Sequence, residues 1–112
     1  MERLSHVECI QSVRLEAGRI AQAAVAGDVD ILEACSALGP LLAQSELGPN
    51  DADSEIIDLV CSELDGLPIG KVRALWAPEA LERLAPQMDS AKLWAISVAM
   101  PTLHSIALRF GA

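Results

Sequence analysis

Residues 93–108 read LWAISVAMPTLHSIAL and are the longest stretch of the chain without Asp, Glu, Lys or Arg. Apolar residues recur in it at the spacing of one face of an α-helix. We expect Asp89 or Ser90 to cap this helix, and we expect Pro101 to kink it, because proline lacks a backbone N–H. The sixteen residues are fewer than the roughly 18–20 that span a bilayer. The stretch therefore predicts a buried core helix and no membrane span.

The composition favours the same class of structure for the whole chain. Ala occurs eighteen times and Leu sixteen times, whereas Tyr is absent and Phe occurs once. Ala and Leu are strong helix formers, and aromatic residues favour strands. A chain of 112 residues has the usual size of a single domain with its own core. The sequence thus predicts an all-α protein in which residues 1–112 form one bundle-like domain of five or six helices.

Capping residues and helix breakers indicate where the helices begin and end. Ser5 and Glu8 fit a capping box at the start of the first helix. Pro86 is expected to end a helix, because its ring clashes with the preceding turn. Gly27 is expected to end the first helix, and Asp28 or Asp30 to begin a second helix that Gly39-Pro40 stops or kinks. A third helix is expected from about Asp53 to Asp65. A short helix should follow over residues 71–76, and Pro78 should begin the next one.

The acidic residues are concentrated in the middle of the chain. Residues 20–70 contain ten acids and no Lys or Arg, whereas residues 71–112 contain five bases and three acids. The net charge of −8 argues against nucleic-acid binding, which needs a basic footprint for phosphates. It favours a basic partner, either another protein or the basic half of this same chain.

The most unusual segment is residues 62–76, SELDGLPIGKVRALW, which combines two acids, a Pro/Gly turn, two bases and a Trp. One interpretation is structural, with Arg73 or Lys71 folded back onto Glu63 or Asp65 and Trp76 filling the core. The other is a binding site, because Arg and Trp often dominate interfaces. The residues predicted to bind a partner are Asp51, Asp53, Glu55, Asp58, Glu63, Asp65, Arg73 and Trp76.

The sequence contains no motif for catalysis, cofactor binding or metal binding. It lacks a Gly-rich phosphate loop, a GxSxG elbow and an HExxH pair. A calcium loop starting at Asp51 fails, because Ile56 and Ser62 occupy the positions that need Gly and Glu. The three cysteines lie in apolar helical patterns, so we expect each to be a small buried hydrophobe. We predict no enzyme activity, no cofactor and no metal.

One segment resembles a known group of proteins. Residues 62–81 follow the pattern Ser-Glu-x-Asp-x-Leu-Pro-x-Gly-x-x-Arg-x-x-Trp-x-x-Glu-Ala-Leu. This pattern is similar to a segment of small bacterial helical proteins of uncharacterised function, and Gly27-Asp28 with Leu32-Glu33-Ala34 is similar too. The resemblance implies a bacterial, cytoplasmic, all-α protein, and it implies no catalytic residue or substrate.

These features together predict a non-enzymatic protein-interaction module with an acidic docking surface. Its partner would be a basic protein. Immunity or antitoxin proteins are comparable to this chain in their small size and acidic charge. A first alternative is self-association, in which the acidic middle of one copy meets bases of another in a homodimer. A second, less favoured alternative is a small-molecule pocket near Trp76, Trp94 and His104. No nucleic-acid or membrane partner is expected.

Overall fold

The computed structural model describes residues 5–111, with the side chain of Lys71 excepted. These residues form α1 (His6–Val25), α2 (Ile31–Ala43), α3 (Ala52–Leu64), a short 3-10 helix (Gly70–Leu75) and α4 (Pro78–Phe110), with no strand among them. The predicted all-α class is confirmed. The predicted number of five or six helices is wrong, because the described part of the chain has four α-helices.

The helix count differs from the prediction because Pro86 does not end a helix. Pro86 and Pro101 both lie inside α4, on its exposed side. A proline in a helix leaves the carbonyl four residues earlier without its usual donor, here those of Glu82 and Ser97. Both of these residues are exposed, so water can bind the freed carbonyls and the helix continues. The bend expected at Pro101 stays a prediction.

The other helix ends follow local signals. Ser5 accepts a 3.1 Å hydrogen bond from the N–H of Glu8 and caps α1. Gly27 ends α1 with a φ of 83°, and the 2.9 Å bond from Asp28 N–H to the Ala23 carbonyl completes a Schellman motif. Asp30 caps α2. This helix continues through Gly39-Pro40 as far as Ala43, so these two residues do not stop it, and the alternative of a kink there stays a prediction.

The core lies between α2, α3 and the second half of α4. Its largest fully buried side chains include Leu32, Leu38, Ile57, Leu103 and Ile106. The buried residues of the first helix are all small, namely Ala17, Gly18, Ala21 and Ala24. Small residues let two helix backbones approach closely, and α1 therefore packs directly along α4.

The fourth helix has two halves with different surroundings. All its buried residues, Ala95, Ala99, Thr102, Leu103 and Ile106, lie in the second half. The helix has 33 residues and is therefore about 50 Å long, so its first half extends beyond the main core. By length and composition alone, α4 could also cross a membrane. In this fold its inner side packs against α1, α2 and α3, and core helices commonly meet the same two criteria.

Gly18 of α1 lies directly against the backbone at the end of α4. A Cβ atom at this position would lie 2.5 Å from the carbonyl carbon of Phe110 and 2.6 Å from the nitrogen of Gly111. Real Cβ atoms do not come this close to backbone atoms, so any side chain at position 18 would push the two helices apart.

Replacing Gly18 with Ala should therefore destabilise the protein, although Gly→Ala in a helix interior normally stabilises it by up to about 1 kcal/mol. We expect Gly18→Ala to lower the free energy of unfolding by about 1–3 kcal/mol because of the clash. Urea unfolding followed by circular dichroism measures this. Ser12→Ala, at an exposed position of the same helix, is the control and should change stability by less than about 0.5 kcal/mol. A stabilised Gly18→Ala variant would contradict the close approach.

Candidate interaction site

Arg109, near the end of α4, joins two carboxylates at the start of α3. Its Nη2 atom lies 3.0 Å from Oδ1 of Asp51, and its Nη1 atom lies 2.8 Å from Oδ2 of Asp53. The Ser105 hydroxyl donates a 2.7 Å hydrogen bond to the same oxygen of Asp53. Asp51 also accepts a 3.0 Å bond from the N–H of Ser54 and so caps α3. We call Asp51, Asp53, Ser105 and Arg109 the Arg109 cluster.

The carboxylates of this cluster are largely shielded from water. The side chains of Asp51 and Asp53 are 10% and 12% exposed, and that of Arg109 is 35% exposed. Hydrogen bonding to Arg109 lowers the pKa of Asp51 below its usual range, and hydrogen bonding to Asp51 and Asp53 raises the pKa of Arg109. The ion pairs thus favour the charged forms of Asp51 and Arg109.

Two residues predicted to bind a partner are therefore engaged inside the protein. The carboxylates of Asp51 and Asp53 would have to leave Arg109 before they could reach another molecule. Their partner is the basic half of the same chain, which is one of the alternatives that the charge distribution left open. A more exposed pair of the same kind joins Lys92 of α4 to Asp30 at the start of α2, at 2.9 Å.

The other predicted acids of α3 lie on its outer side. Glu55, Asp58 and Glu63 are exposed, and they surround Leu59, whose exposed fraction is 47%. Ile57 and Val60, on the opposite side of the helix, are fully buried. Within the part of the chain that the structure describes, these three carboxylates form no ion pair. We call Glu55, Asp58, Leu59 and Glu63 the α3 acidic face.

Trp76 lies where the turn after α3 meets the first turns of α4. It is partly exposed and lines two adjoining cavities of about 430 and 450 Å³, both of which Asp65 and Leu67 also line. Trp76 belongs neither to the buried core nor to the half-buried residues packed against it. The interpretation in which Trp76 fills the core is therefore wrong, and the interpretation as a binding site remains.

Arg73, the last of the predicted residues, points to a different region. Its Nη1 atom lies 3.5 Å from the carbonyl oxygen of Pro68, and it lines a third cavity of about 310 Å³ between α2 and α4. Arg73 forms no ion pair with Glu63 or Asp65, two described residues. The alternative prediction, in which the Lys71 side chain contacts Glu63 or Asp65, falls outside the described residues. The side chains of Asp65 and Trp76 thus line the same cavities, whereas the side chain of Arg73 lines another.

The cysteines differ from one another in exposure. Cys35 is buried, and the half-buried Cys61 donates a 3.3 Å hydrogen bond to the Cys35 carbonyl across α2 and α3. Burial raises the pKa of Cys35 to about 12 and also raises that of Cys61, so both thiols remain protonated and behave as hydrophobes. Cys9 is exposed, so the prediction that it is buried is wrong. The core side of α1 begins only at Ala17.

The alternative of a small-molecule pocket near Trp76, Trp94 and His104 stays a prediction, although the three residues do not line one of the described cavities together. Trp94 packs against the core, and His104 is exposed on α4. Neither residue lines the two cavities beside Trp76.

Arg83 and Arg109 are among the bases that the self-association alternative would use, and Leu75 is a further residue that matters for the surface open to a partner. Arg109 removes Asp51 and Asp53 from it, Arg83 lines a cavity beside Trp76, and Leu75 is 85% exposed. The uneven distribution of acids and bases predicted only in general terms that a base after residue 70, such as Arg109, would pair with acids of the middle of the chain. No local pattern indicates which of the five bases after residue 70 meets which acid.

Removing the Arg109 side chain should cost more stability than removing Lys92. Arg109→Ala leaves two shielded carboxylates close together without a cation, so we expect a loss of about 2–3 kcal/mol in the free energy of unfolding. Lys92→Ala removes a pair whose side chains are 43% and 35% exposed, so we expect a loss below about 1 kcal/mol. Urea unfolding at pH 7 compares the two variants. Equal losses would show that the Arg109 cluster has no special role.

The Arg109 cluster should also make stability depend on pH. Because the folded protein lowers the pKa of Asp51, the ionised form stabilises the fold above about pH 4, and this contribution is lost as the pH falls through the lowered pKa. Arg109→Ala removes the main cause of the shift. The stability difference between wild type and variant should therefore shrink below about pH 4. Urea unfolding between pH 7 and pH 3 tests this, and a constant difference would contradict it.

Comparison of the whole chain with models of protein families, with curated proteins and with solved structures finds no significant match. The resemblance of residues 62–81 to small bacterial helical proteins therefore stays a prediction.

Proposed function

We propose that the protein is a non-enzymatic interaction module that docks a basic protein through the α3 acidic face. The observation that carries this proposal is the grouping of Glu55, Asp58 and Glu63 around the exposed Leu59 on one side of one helix. An apolar centre with a charged rim is the usual anatomy of a protein interface. The carboxylates would attract and orient a basic partner, and Leu59 would supply buried apolar contact.

The rigidity of α3 supports this proposal. Its first turn is fixed to α4 by the ion pairs of Asp51 and Asp53 with Arg109, and its inner side contributes Ile57, Val60 and Leu64 to the core. A binding surface on a fixed helix loses little conformational freedom when a partner binds. Internal pairing of the two shielded acids also means that the exposed acids are the ones that remain for a partner.

The chemistry of the face favours a partner with clustered Lys or Arg around an apolar depression that accepts Leu59. Nucleic-acid-binding proteins carry such basic surfaces, because they must bind phosphates. A toxin nuclease domain or a regulator of this kind is the partner class that we propose, and the protein would then act as an immunity or antitoxin-like inhibitor. The proposal places it in a bacterial cytoplasm, as the resemblance of residues 62–81 implies.

The test compares two double variants that remove the same amount of charge. Glu55→Gln/Asp58→Asn changes the α3 acidic face, whereas Glu79→Gln/Glu82→Gln changes exposed acids at the start of α4. Each tagged protein is used to capture partners from lysate of the source organism at low and moderate salt. We expect one basic protein to bind wild type and the α4 control but not the α3 variant, and to be lost as salt rises.

The purified partner then gives the quantitative result. Its association rate constant should fall by about tenfold or more for Glu55→Gln/Asp58→Asn and should stay within about twofold for the α4 control. Equal rates for the two double variants, or capture that ignores salt, would show that the α3 acidic face is only a solvated surface.

A further inference from the structure

An apolar ridge stands beside the cavities that Trp76 lines. Leu75 is 85% exposed and Val72 is 49% exposed. Both belong to the 3-10 helix Gly70–Leu75, in which residues three apart lie on the same side. The two side chains therefore project together, and their apolar surface would be stabilised by burial against another molecule.

The neighbouring cavity has an apolar part, which the chain's own core residues leave unfilled. Leu67, Trp76, Ala80 and Leu84 line the cavity of about 450 Å³. Ala80 and Leu84 belong to the first half of α4, which contributes no residue to the buried core. The space is several times larger than a leucine side chain, so it can accept a projecting apolar residue from another molecule.

Opposite charges flank the same cavity. Asp65 and Arg83 both line it and both are exposed. These two described residues do not form an ion pair with each other. Among the described side chains neither forms an ion pair, and each could pair with an opposite charge that a partner places beside it. We call Asp65, Leu67, Val72, Leu75, Trp76 and Arg83 the Trp76 corner.

We infer that the Trp76 corner is the interface of a twofold homodimer. Leu75 of each copy enters the cavity beside Trp76 of the other, and Arg83 of each copy pairs with Asp65 of the other. A twofold interface uses the same patch on both copies, so that patch must contain both the projection and its cavity, and both signs of charge. The Trp76 corner contains all four features, which a one-sided docking surface would not need.

The charge distribution gives a further reason for the matched pairs. Each copy carries a net charge of −8, so two copies repel each other at long range and need local attraction where they meet. The corner involves fewer side chains than the roughly 20–30 per partner of a standard interface, so we expect a dimer that dissociates in the micromolar range. It shares no residue with the α3 acidic face, so either proposal can fail without the other.

Sedimentation equilibrium of the full chain from about 5 to 300 µM measures the dimer dissociation constant. We expect Leu75→Ser to raise that constant at least about tenfold, because it removes two buried leucines per dimer. Leu108→Ser is the matched control, since Leu108 is 87% exposed on the second half of α4, and it should change the constant less than about twofold. Circular dichroism verifies that each variant is folded.

Reversal of charge tests the pairing directly. Asp65→Arg or Arg83→Asp alone places like charges against each other, so each should raise the dissociation constant about tenfold. The double variant restores opposite charges with the signs exchanged and should return to within about threefold of wild type. A monomer at every concentration would overturn the proposal, as would an equal effect of Leu108→Ser and Leu75→Ser. A double variant whose dimer dissociation constant is higher than that of both single variants would overturn the Arg83–Asp65 pairing.

Discussion

The ion pairs of Arg109 with Asp51 and Asp53 determine how the end of α4 meets the start of α3. The guanidinium also lies 4.8 Å from the centre of the Phe110 ring, and Arg14 of α1 lies 5.9 Å from that ring. Arg14 in turn donates a 2.9 Å hydrogen bond to the carbonyl of the buried Ser45, in the connection between α2 and α3. Four parts of the chain thus meet at one end of the bundle, and a cation there is required, because two shielded carboxylates would otherwise repel each other.

This internal pairing changes how the net charge should be interpreted. The acidic middle of the chain does not form one uniform face. Asp30, Asp51 and Asp53 pair with bases of α4, and Glu33 accepts a 3.0 Å bond from the N–H of Gly70. The exposed acids of α3, Asp28 and Asp65 form no ion pair among the described residues. The two proposals use the acids of the α3 acidic face for a basic protein and Asp65 of the Trp76 corner for a second copy.

Sequence signals that act within one helical turn predicted the structure well. Ser5, Gly27 and Pro78 begin or end helices as expected, because capping depends only on neighbouring backbone groups. The prediction that Pro86 ends a helix made the predicted number of helices too large, because the sequence does not reveal that the freed carbonyl of Glu82 would face water. The Arg109 cluster could not be assigned either, since Asp51 and Arg109 are far apart in sequence and only packing of α3 against α4 brings them together. Of the predicted docking residues on α3, Glu55 and Asp58 are exposed, whereas Asp51 and Asp53 are held by Arg109.

The close approach of α1 and α4 at Gly18 has a consequence for how the protein folds. The two helices that touch there are the first and the last along the chain, so nearly the whole chain lies in the loop that their contact closes. Contacts of such long sequence separation slow folding relative to bundles in which only successive helices touch. During synthesis, α1, α2 and α3 leave the ribosome before α4 is complete, with the apolar surface that α4 will cover, including Ile57, still exposed to water. The newly made chain therefore passes through a period in which it is open to aggregation and to chaperones, and that period ends only when residues 95–110 have been released.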